Sequence, residues 1–404
     1  MSGALHAAIA ELATYNDDPT AGGITREVFT PTYERALEYV SGLMRSAGLE
    51  VRRDAFGNLY GRRSGTDPSL PCVRTGSHVD TTLNAGRYDG VVGVLGAVEA
   101  VAGLSDVRRS IEVVAFAGEE PRFGTGCIGS RAVVGDLSRA DLERLVDRDG
   151  VSLATALEGA GLDPDAIAEA MWDPSSVHAF LELHIEQGIV LESSGDQVGV
   201  VTAIAAPHDL RVTLTGAATH AGATPMALRR DALAGAAETM LELERLAVGS
   251  PSGTTVGTVG VLRLRPGAIN VVPGEVELDV DVRDSDAGAR QAVVEGLLAA
   301  VGVLATRRGL TATVDEIVRD EPAGCAPFVV DAVREACDAL GVSSRRMISG
   351  AYHDALILAR RVPVGMLFVP SAGGVSHHPD EHTAPEDIDR GVAVLRGALA
   401  RLAG

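Results

Sequence analysis

The chain has 404 residues, of which 46% are hydrophobic, and a formal net charge of −20 at pH 7. This length predicts two domains, and the acidic balance argues against nucleic acid and anionic membrane surfaces as partners. All 35 basic residues are arginine, which excludes catalysis through a lysine Schiff base or a phosphate-loop lysine.

Cysteine usage and the N-terminus bear on location. The four cysteines are scattered and form no CxxC pair, which indicates reduced, mostly buried thiols. The N-terminus lacks the basic start and apolar core of a signal peptide, and no uninterrupted apolar run reaches about 18 residues. We therefore expect a cytoplasmic protein without a membrane-spanning helix.

The first half of the chain alternates between predicted strands and helices. Thr30-Pro31 predicts the start of a helix that ends near Gly48. The apolar stretches 73–76 and 111–116 are typical of buried parallel strands, and residues 90–104 predict a helix between them. This alternation predicts an α/β domain with a mainly parallel sheet, whose active site lies beyond the carboxyl ends of the strands.

Residues 209–320 have a different rhythm, in the order β-α-β-β-α-β, which is a unit able to fold alone. A helix is expected from Thr224-Pro225 through Ala247. The α/β pattern resumes at residues 326–341 and 364–369. We therefore predict a catalytic domain formed by residues 1–207 and 322–404, with an inserted ferredoxin-like domain at residues 208–321.

Five residues of metal-ligand type share one context, a glycine-rich or polar loop after an apolar strand: His78, Asp89, Glu120, His184 and His377. Two divalent ions about 3.5–4 Å apart repel each other unless an anion bridges them, and Asp89 suits that position. Histidine and carboxylate ligands suit the remaining positions. Each residue alone could be a helix cap, a solvated turn or a structural histidine, but five in matching contexts predict a two-metal site.

Two further carboxylates adjoin these residues. Asp80, two residues after His78, is predicted to accept the second ring N–H of His78 and to fix its tautomer. Glu119 directly precedes Glu120 and is predicted to take the proton of an attacking water as the general base. The pattern predicts a metal-dependent hydrolase.

Seven motifs occur in order along nearly the whole chain: GSHVDTTLNAGRYDG, AGEEPRFGTGCIGSRA, ELHIEQG, GAATHAGATPM, GAINVVPGEVELDVDVRD, SGAYHDA and GVSHHPDEHTAPED. Together they resemble the M20 metallopeptidase family, in its amidase/carbamoylase branch. ELHIEQG is specific to the branch, because peptidase relatives usually carry a carboxylate in place of His184. Members hydrolyse N-carbamoyl amino acids, allantoate, ureidoglycolate and related ureido acids, so the resemblance implies cleavage of a ureido C–N bond with release of ammonia.

The resemblance also implies a ligand set. His78, Asp89 and His184 would hold one ion, and Asp89, Glu120 and His377 the other, with His378 as the alternative to His377. Manganese, zinc, cobalt and nickel all suit such mixed ligands. Two divalent ions per subunit are therefore expected, and their identity stays open.

Substrate contacts follow from the same resemblance. His220, in the inserted domain, would polarise the scissile carbonyl in the partner subunit's site, and Asn270 and Arg283 would grip the substrate carboxylate, which arginine binds bidentately. Gln187 and His353 would line the pocket. The inserted domain would serve as a lid and as the dimerisation domain of a homodimer.

Several alternatives stay open. His220 could instead cap the helix that begins near Pro225, and Arg283 could form only a surface ion pair with its neighbouring aspartates. Within the family, an aminoacylase or dipeptidase is the alternative, against which His184 argues. A catalytically silent protein that binds small acids is a further alternative, although a binder needs no general base such as Glu119. Pro121 after the Glu-Glu pair and Tyr352 before His353 look more like the ureidoglycolate-hydrolysing members.

Overall fold

The computed structural model describes residues 2–404. The α-helices are α1 Ser2–Leu12, α2 Pro31–Ser46, α3 Val91–Ala102, α4 Ile128–Val134, α5 Arg139–Arg144, α6 Leu153–Gly159, α7 Val190–Ser194, α8 Ala232–Val248, α9 Ala287–Arg308, α10 Pro327–Leu340, α11 Asp354–Leu358 and α12 Pro385–Ala403. The strands are β1 Glu50–Arg53, β2 Leu59–Arg63, β3 Cys72–His78, β4 Ile111–Phe116, β5 Val177–Ile185, β6 Val198–Ile204, β7 Ala206–Thr215, β8 Thr219–His220, β9 Val256–Arg265, β10 Val271–Val272, β11 Glu275–Asp284, β12 Thr311–Arg319, β13 Ala323–Gly324, β14 Ser344–Ser349 and β15 Val364–Val369. Short 3-10 helices occur at Pro164–Ala170, Pro174–Ser176, Met226–Leu228 and Ala372–Gly374.

The chain divides into two compact units. The first comprises the residues through Thr202 together with Gly324–Met347 and His353–Gly404, and the second comprises Ala203–Ala323 with Ile348–Tyr352. The sequence prediction had placed residues 348–352 in the catalytic domain. They group with the second unit because Ala205 N–H donates to the carbonyl of Ser349 and the Tyr352 hydroxyl donates to Asp320. The lid and dimerisation roles stay predictions.

A nine-stranded sheet forms the framework of the first unit, in the order β1-β2-β4-β3-β5-β15-β6-β13, with β14 paired to β6. Its central neighbours β4, β3, β5 and β15 are parallel. Strands β3, β4 and β15 are buried at every position, as expected where helices cover both faces of a parallel sheet. The predicted α/β fold with a mostly parallel central sheet is confirmed.

The register of these strands brings the carboxyl ends to one edge. His78, the last residue of β3, pairs with Phe116, the last residue of β4. On β5, His184 pairs with Phe368 near the end of β15. The segments that follow β3 and β4, and the end of β5, therefore lie side by side.

In the second unit, a four-stranded antiparallel sheet has the order β12-β7-β11-β9. Helices α8 and α9 pack on it through a core of valine, leucine and alanine. Strands β8 and β10 form a separate two-stranded ribbon. The helix expected from Pro225 begins only at Ala232, because the Asp231 carboxylate caps it by accepting from the N–H groups of Leu233 and Ala234.

Helix α9 is long and apolar enough to span a membrane by length and composition alone. It packs one face into the core of the second unit through Val293, Leu297 and Val301. The buried Arg290 on this helix donates to the backbone carbonyls of Ala206, Pro207 and Asp320. One face of α9 is thus buried in the core of the second unit.

Candidate metal centre

Two buried histidines direct the same ring nitrogen at Asp89. Nε2 of His184 lies 3.2 Å, and Nε2 of His78 3.5 Å, from Oδ1 of Asp89. Nδ1 of His78 lies 3.1 Å from the carbonyl oxygen of Asp80, and Nδ1 of His184 lies 2.9 Å from the carbonyl oxygen of Ile185. Because a carbonyl oxygen only accepts, Nδ1 carries the proton in each neutral ring, and Nε2 presents its lone pair towards Asp89.

Gly90 allows the backbone to pass close to these rings. It has a positive φ of 64°, and a Cβ at this position would lie 2.5 Å from Nε2 of His78. Its N–H lies 3.2 Å from Nε2 of His184 and donates to that nitrogen when the ring is neutral. Any side chain here would displace the His78 ring.

The other oxygen of Asp89 faces a second group. Nε2 of His377 lies 3.2 Å from Oδ2 of Asp89 and 3.5 Å from Oε1 of Glu120. His377 has a φ of 54°, in the sparsely populated left-handed region, which turns its ring to this position. His378 instead lies 3.6 Å from the exposed Asp380. The structure thus brings His377, and not His378, to Asp89.

The two groups fit metal ions. His78, Asp89 and His184 form one set of converging donor atoms, and Asp89, Glu120 and His377 form another. Each combines imidazole nitrogen with carboxylate oxygen, the donor chemistry that suits first-row divalent ions. Asp89 belongs to both sets, with one oxygen towards each, as a bridging carboxylate requires.

A third converging set, Glu182, His184 and His353, adjoins the first. Both oxygens of Glu182 already accept hydrogen bonds, from the Ser77 hydroxyl at 2.7 Å and from Ala355 N–H at 3.2 Å. His353 is 1% exposed, and its ring packs against the ring of His184 with centroids 4.5 Å apart. His353, which the resemblance placed in the pocket wall, is thus buried against a metal-ligand candidate. We interpret Glu182 and His353 as residues that hold the His184 ring in position, and not as ligands of a third ion.

The Asp80 carboxylate does not form the predicted hydrogen bond with the ring of His78. Its Oδ1 accepts from the N–H groups of Gly118 and Glu119, at 3.2 and 3.4 Å, and its Oδ2 from that of Glu120 at 3.0 Å. The ring of His78 lies nearer to the Asp80 carbonyl, at 3.1 Å, than to its carboxylate, at 3.7 Å. Asp80 therefore orients His78 through its backbone, while its side chain holds the Glu-Glu segment in place.

Glu119 lies beside the first donor set. Its Oε2 is 3.8 Å from Nε2 of His78, and the Cys127 thiol donates to its Oε1 at 3.6 Å. Burial raises the pKa of Glu119 well above its usual range, and the charges of Glu120 and Asp354 add to this rise. Both effects favour the protonated form of Glu119 in the ion-free protein.

The other side chains of the centre are perturbed as well. Burial, followed by the charge of Asp89, raises the pKa of Glu120 to about 7. The hydrogen bond with Asp89 raises the pKa of His377 to about 9. Burial opposes ionisation of Asp89, but hydrogen bonds with His184, His377 and His78 hold its pKa well below the usual range. The ion-free centre thus carries protons where cations would bind.

Gln187 contacts the bridging aspartate directly. Its Nε2 donates to Oδ2 of Asp89 at 2.8 Å and to the hydroxyl of Ser376 at 3.1 Å. Its backbone N–H donates to Ser371 Oγ at 3.0 Å, and its φ is 57°. The amide was expected to line the substrate pocket, and the structure places it against Asp89.

In the second unit, His220 lies on β8 and Asn270 directly precedes β10, and Ala221 N–H donates to the Asn270 carbonyl at 2.9 Å. Both residues are exposed. Nδ1 of His220 accepts from Gly222 N–H at 3.0 Å and Ala223 N–H at 3.1 Å, so Nε2 carries the ring proton. His220 thus closes a tight turn and does not cap α8.

Arg283, on β11, is paired within its own unit. Its Nε lies 2.9 Å, and one terminal nitrogen 2.7 Å, from carboxylate oxygens of Asp281, and the other terminal nitrogen lies 3.5 Å from the carbonyl of Gly350. The ion pair between Arg283 and a neighbouring aspartate, which the sequence left open as an alternative, is present. A substrate carboxylate at Arg283 would compete with Asp281.

Sequence reasoning missed Glu381, which is 4% exposed and accepts hydrogen bonds from the backbone of Tyr88 and Asp89 and from Ser376. The available signal was its position, four residues after His377 in the motif GVSHHPDEHTAPED.

Comparison with known proteins identifies the family. The model of the peptidase family M20/M25/M40 matches residues 75–401. The chain belongs to this family. It is 44% identical to the ureidoglycolate hydrolase of Arabidopsis thaliana, over 98% of this chain and 85% of that protein. It is also 44% identical to the N-carbamoyl-L-amino acid amidohydrolase of Geobacillus stearothermophilus, over 97% of this chain and 96% of that protein.

Solved structures agree with this result. The crystal structure of AtUAH in complex with glyoxylate superposes with a TM-score of 0.87 at 42% identity, covering 100% of this chain and 97% of that one. The predicted family and the predicted class of enzyme, an amidohydrolase, are confirmed. Membership of a metallopeptidase family also implies the use of divalent metal, for which the two donor sets provide ligands.

Proposed function

We propose that this M20 protein is a dinuclear-metal amidohydrolase that cleaves a ureido C–N bond of a small carboxylic acid and releases ammonia. The observation that carries the two-ion part is Asp89, whose two oxygens face two separate sets of histidine and carboxylate donors. The substrate class is supported by relatives that are a ureidoglycolate hydrolase and an N-carbamoyl-L-amino acid amidohydrolase. Candidate substrates are N-carbamoyl-L-amino acids, allantoate and ureidoglycolate.

Divalent ions, when bound, supply Lewis acidity and lower the pKa of water; manganese, zinc, cobalt and nickel all fit the donors. Glu119 performs the proton transfers. Its Oε2 lies beside Nε2 of His78, and nearby cations favour its ionised form, which is the form that accepts a proton. The oxygen of water bonds to the ureido carbon, its proton passes to Glu119, and Glu119 returns that proton to the leaving nitrogen as the C–N bond breaks. The carbamic acid or carbamate that results from an N-carbamoyl acid decomposes to an amine and carbon dioxide.

The residues of the second unit are proposed to recognise the substrate. His220 presents an Nε2–H, which is the donor that a developing oxyanion requires. Arg283 and Asn270 are proposed to bind the substrate carboxylate, with Arg283 exchanging Asp281 for it. We further propose a cytoplasmic homodimer that assembles through residues 208–321, which light scattering on the purified protein and cell fractionation would test.

The test is ammonia release by protein stripped of metal and reloaded separately with manganese, zinc, cobalt or nickel. The substrates are N-carbamoyl-L-amino acids, allantoate and ureidoglycolate, with an N-acetyl amino acid and a dipeptide for comparison. We expect ammonia from at least one ureido acid, only in the loaded protein. Cleavage confined to the N-acetyl amino acid or the dipeptide would favour an aminoacylase or dipeptidase. Binding of these acids without any cleavage would favour the silent alternative.

A further inference from the structure

Glu381 joins two segments that are far apart in sequence. Its Oε1 accepts from the backbone N–H groups of Tyr88 at 2.9 Å and Asp89 at 3.1 Å. Its Oε2 accepts from the hydroxyl of Ser376, the residue before His377, at 3.0 Å. One buried carboxylate therefore holds both the segment that carries the bridging aspartate and the loop that carries the histidine of the second donor set.

The hydrogen bonds around Ser376 are mutually consistent. A hydroxyl has one proton, and Ser376 lies nearer to Glu381, at 3.0 Å, than to Oδ2 of Asp89, at 3.4 Å. With its proton given to Glu381, the Ser376 oxygen is free to accept from Nε2 of Gln187. The second hydrogen of that amide goes to Oδ2 of Asp89. Glu381, Ser376 and Gln187 thus form a chain that ends on the oxygen of Asp89 that faces His377.

Gly86 shows how closely Glu381 fits. A Cβ on Gly86 would lie 2.3 Å from both Cβ and Oε1 of Glu381. Any residue other than glycine would therefore push Glu381 away from the backbone of Tyr88 and Asp89. Gly86 lies two residues before Tyr88, on the segment that Glu381 holds, so the space for the carboxylate depends on this glycine.

We propose that Glu381 is a positioning residue that couples the Asp89 segment to the His377 loop and thereby sets the geometry of the Asp89, Glu120 and His377 donors. This rests on the two-ion centre of the proposed function. Glu381 itself touches neither substrate nor ion in this proposal. Its effect is on the affinity of the second donor set, and less on the set that contains His78 and His184.

The experiment measures ion binding to the ion-free full-length protein, by equilibrium dialysis against Mn²⁺ and by the electron paramagnetic resonance signal of coupled Mn²⁺ pairs. We expect Glu381→Ala and Gly86→Ala to weaken one of the two ions by about 10–100-fold, the range for outer hydrogen-bond partners of ligands, and to abolish the coupled-pair signal at limiting Mn²⁺. Glu381→Gln, which keeps an acceptor for the two backbone N–H groups, should recover part of the loss. The matched control is Asp380→Ala, an exposed carboxylate in the same loop.

Glu381→Ala that binds both ions with wild-type affinity would overturn the proposal, as would wild-type protein that binds only one ion. If Glu381→Ala does not fold, the same criterion applies to Ser376→Ala and Glu381→Gln. The readout needs no substrate, so it is separable from the proposed reaction. Wild-type protein that binds a coupled ion pair but cleaves no ureido acid would contradict the reaction and leave the role of Glu381 intact.

Discussion

Ion uptake by this centre should release protons, because ligands must be deprotonated to bind metal. In the ion-free protein the pKa of His377 is about 9 and that of Glu120 about 7. At pH 7 His377 is almost fully protonated and Glu120 half protonated, so these two groups release about 1.5 protons on binding. The release falls to about 0.5 proton at pH 9.

The sign follows from the competition between proton and ion. Protons occupy His377 and Glu120 at low pH, so ion affinity rises as pH rises through their pKa values and levels off above pH 9. The gain in ion affinity should be larger from pH 6 to 7, where both groups still release protons, than from pH 8 to 9, where His377 alone does. Burial lowers the pKa of His78, but the hydrogen bond to Asp89 and nearby carboxylates outweigh burial and raise this pKa well above its usual range. His78 therefore adds to the proton release.

Calorimetric titration with Mn²⁺ in buffers of different ionisation enthalpy measures the number of protons released. We expect release of at least 1.5 protons per chain at pH 7. The control variant His378→Ala should release the same number, because the ring it removes lies beside the exposed Asp380. Uptake at pH 7 without proton release, or an affinity that is flat between pH 6 and 7, would contradict the binding of ions by His377 and Glu120 in place of their protons.

Three substitutions separate the remaining roles. Glu119→Gln should retain both ions in dialysis and lose about 10²–10⁴-fold in kcat; a wild-type rate would remove Glu119 from the reaction. Asp80→Asn places an amide group beside the backbone N–H groups that donate to the Asp80 carboxylate. Ion affinity and kcat should therefore each fall about 10–100-fold. Unchanged values would show that the carboxylate of Asp80 is dispensable. Arg283→Ala should raise KM more than it lowers kcat, whereas Arg263→Ala on the exposed strand β9 should change neither, and equal kinetics for the two would leave Arg283 only its ion pair with Asp281.

Short-range patterns were sufficient to predict the strand ends of the centre. An apolar strand followed by a polar, glycine-rich loop is a local signal, and parallel packing then brings His78 and His184 to the same edge. The order of elements in the second unit was also readable from local periodicity. The start of α8 was misjudged because Pro225 is followed by a 3-10 turn, and Asp231 is the residue that caps the helix.

Long-range hydrogen bonds could not be predicted in the same way. Glu381 binds the backbone of Tyr88, 293 positions earlier in the chain, and no local pattern records that contact. The hydrogen bonds of Asp80 were equally hard to predict, because the N–H groups that donate to its carboxylate belong to a segment about 40 residues later. The identity of metal ligands follows from strand ends, whereas the groups that orient them depend on the assembled fold.

The most direct test of the two-ion centre is anomalous diffraction from crystals of the protein loaded with Mn²⁺ or Zn²⁺. We predict two peaks about 3.5–4 Å apart on either side of the Asp89 carboxylate. One should lie within coordination distance of Nε2 of His78 and His184, and the other within that of His377 and Glu120. A single peak, or a peak among Glu182, His184 and His353 in place of the pair, would contradict it.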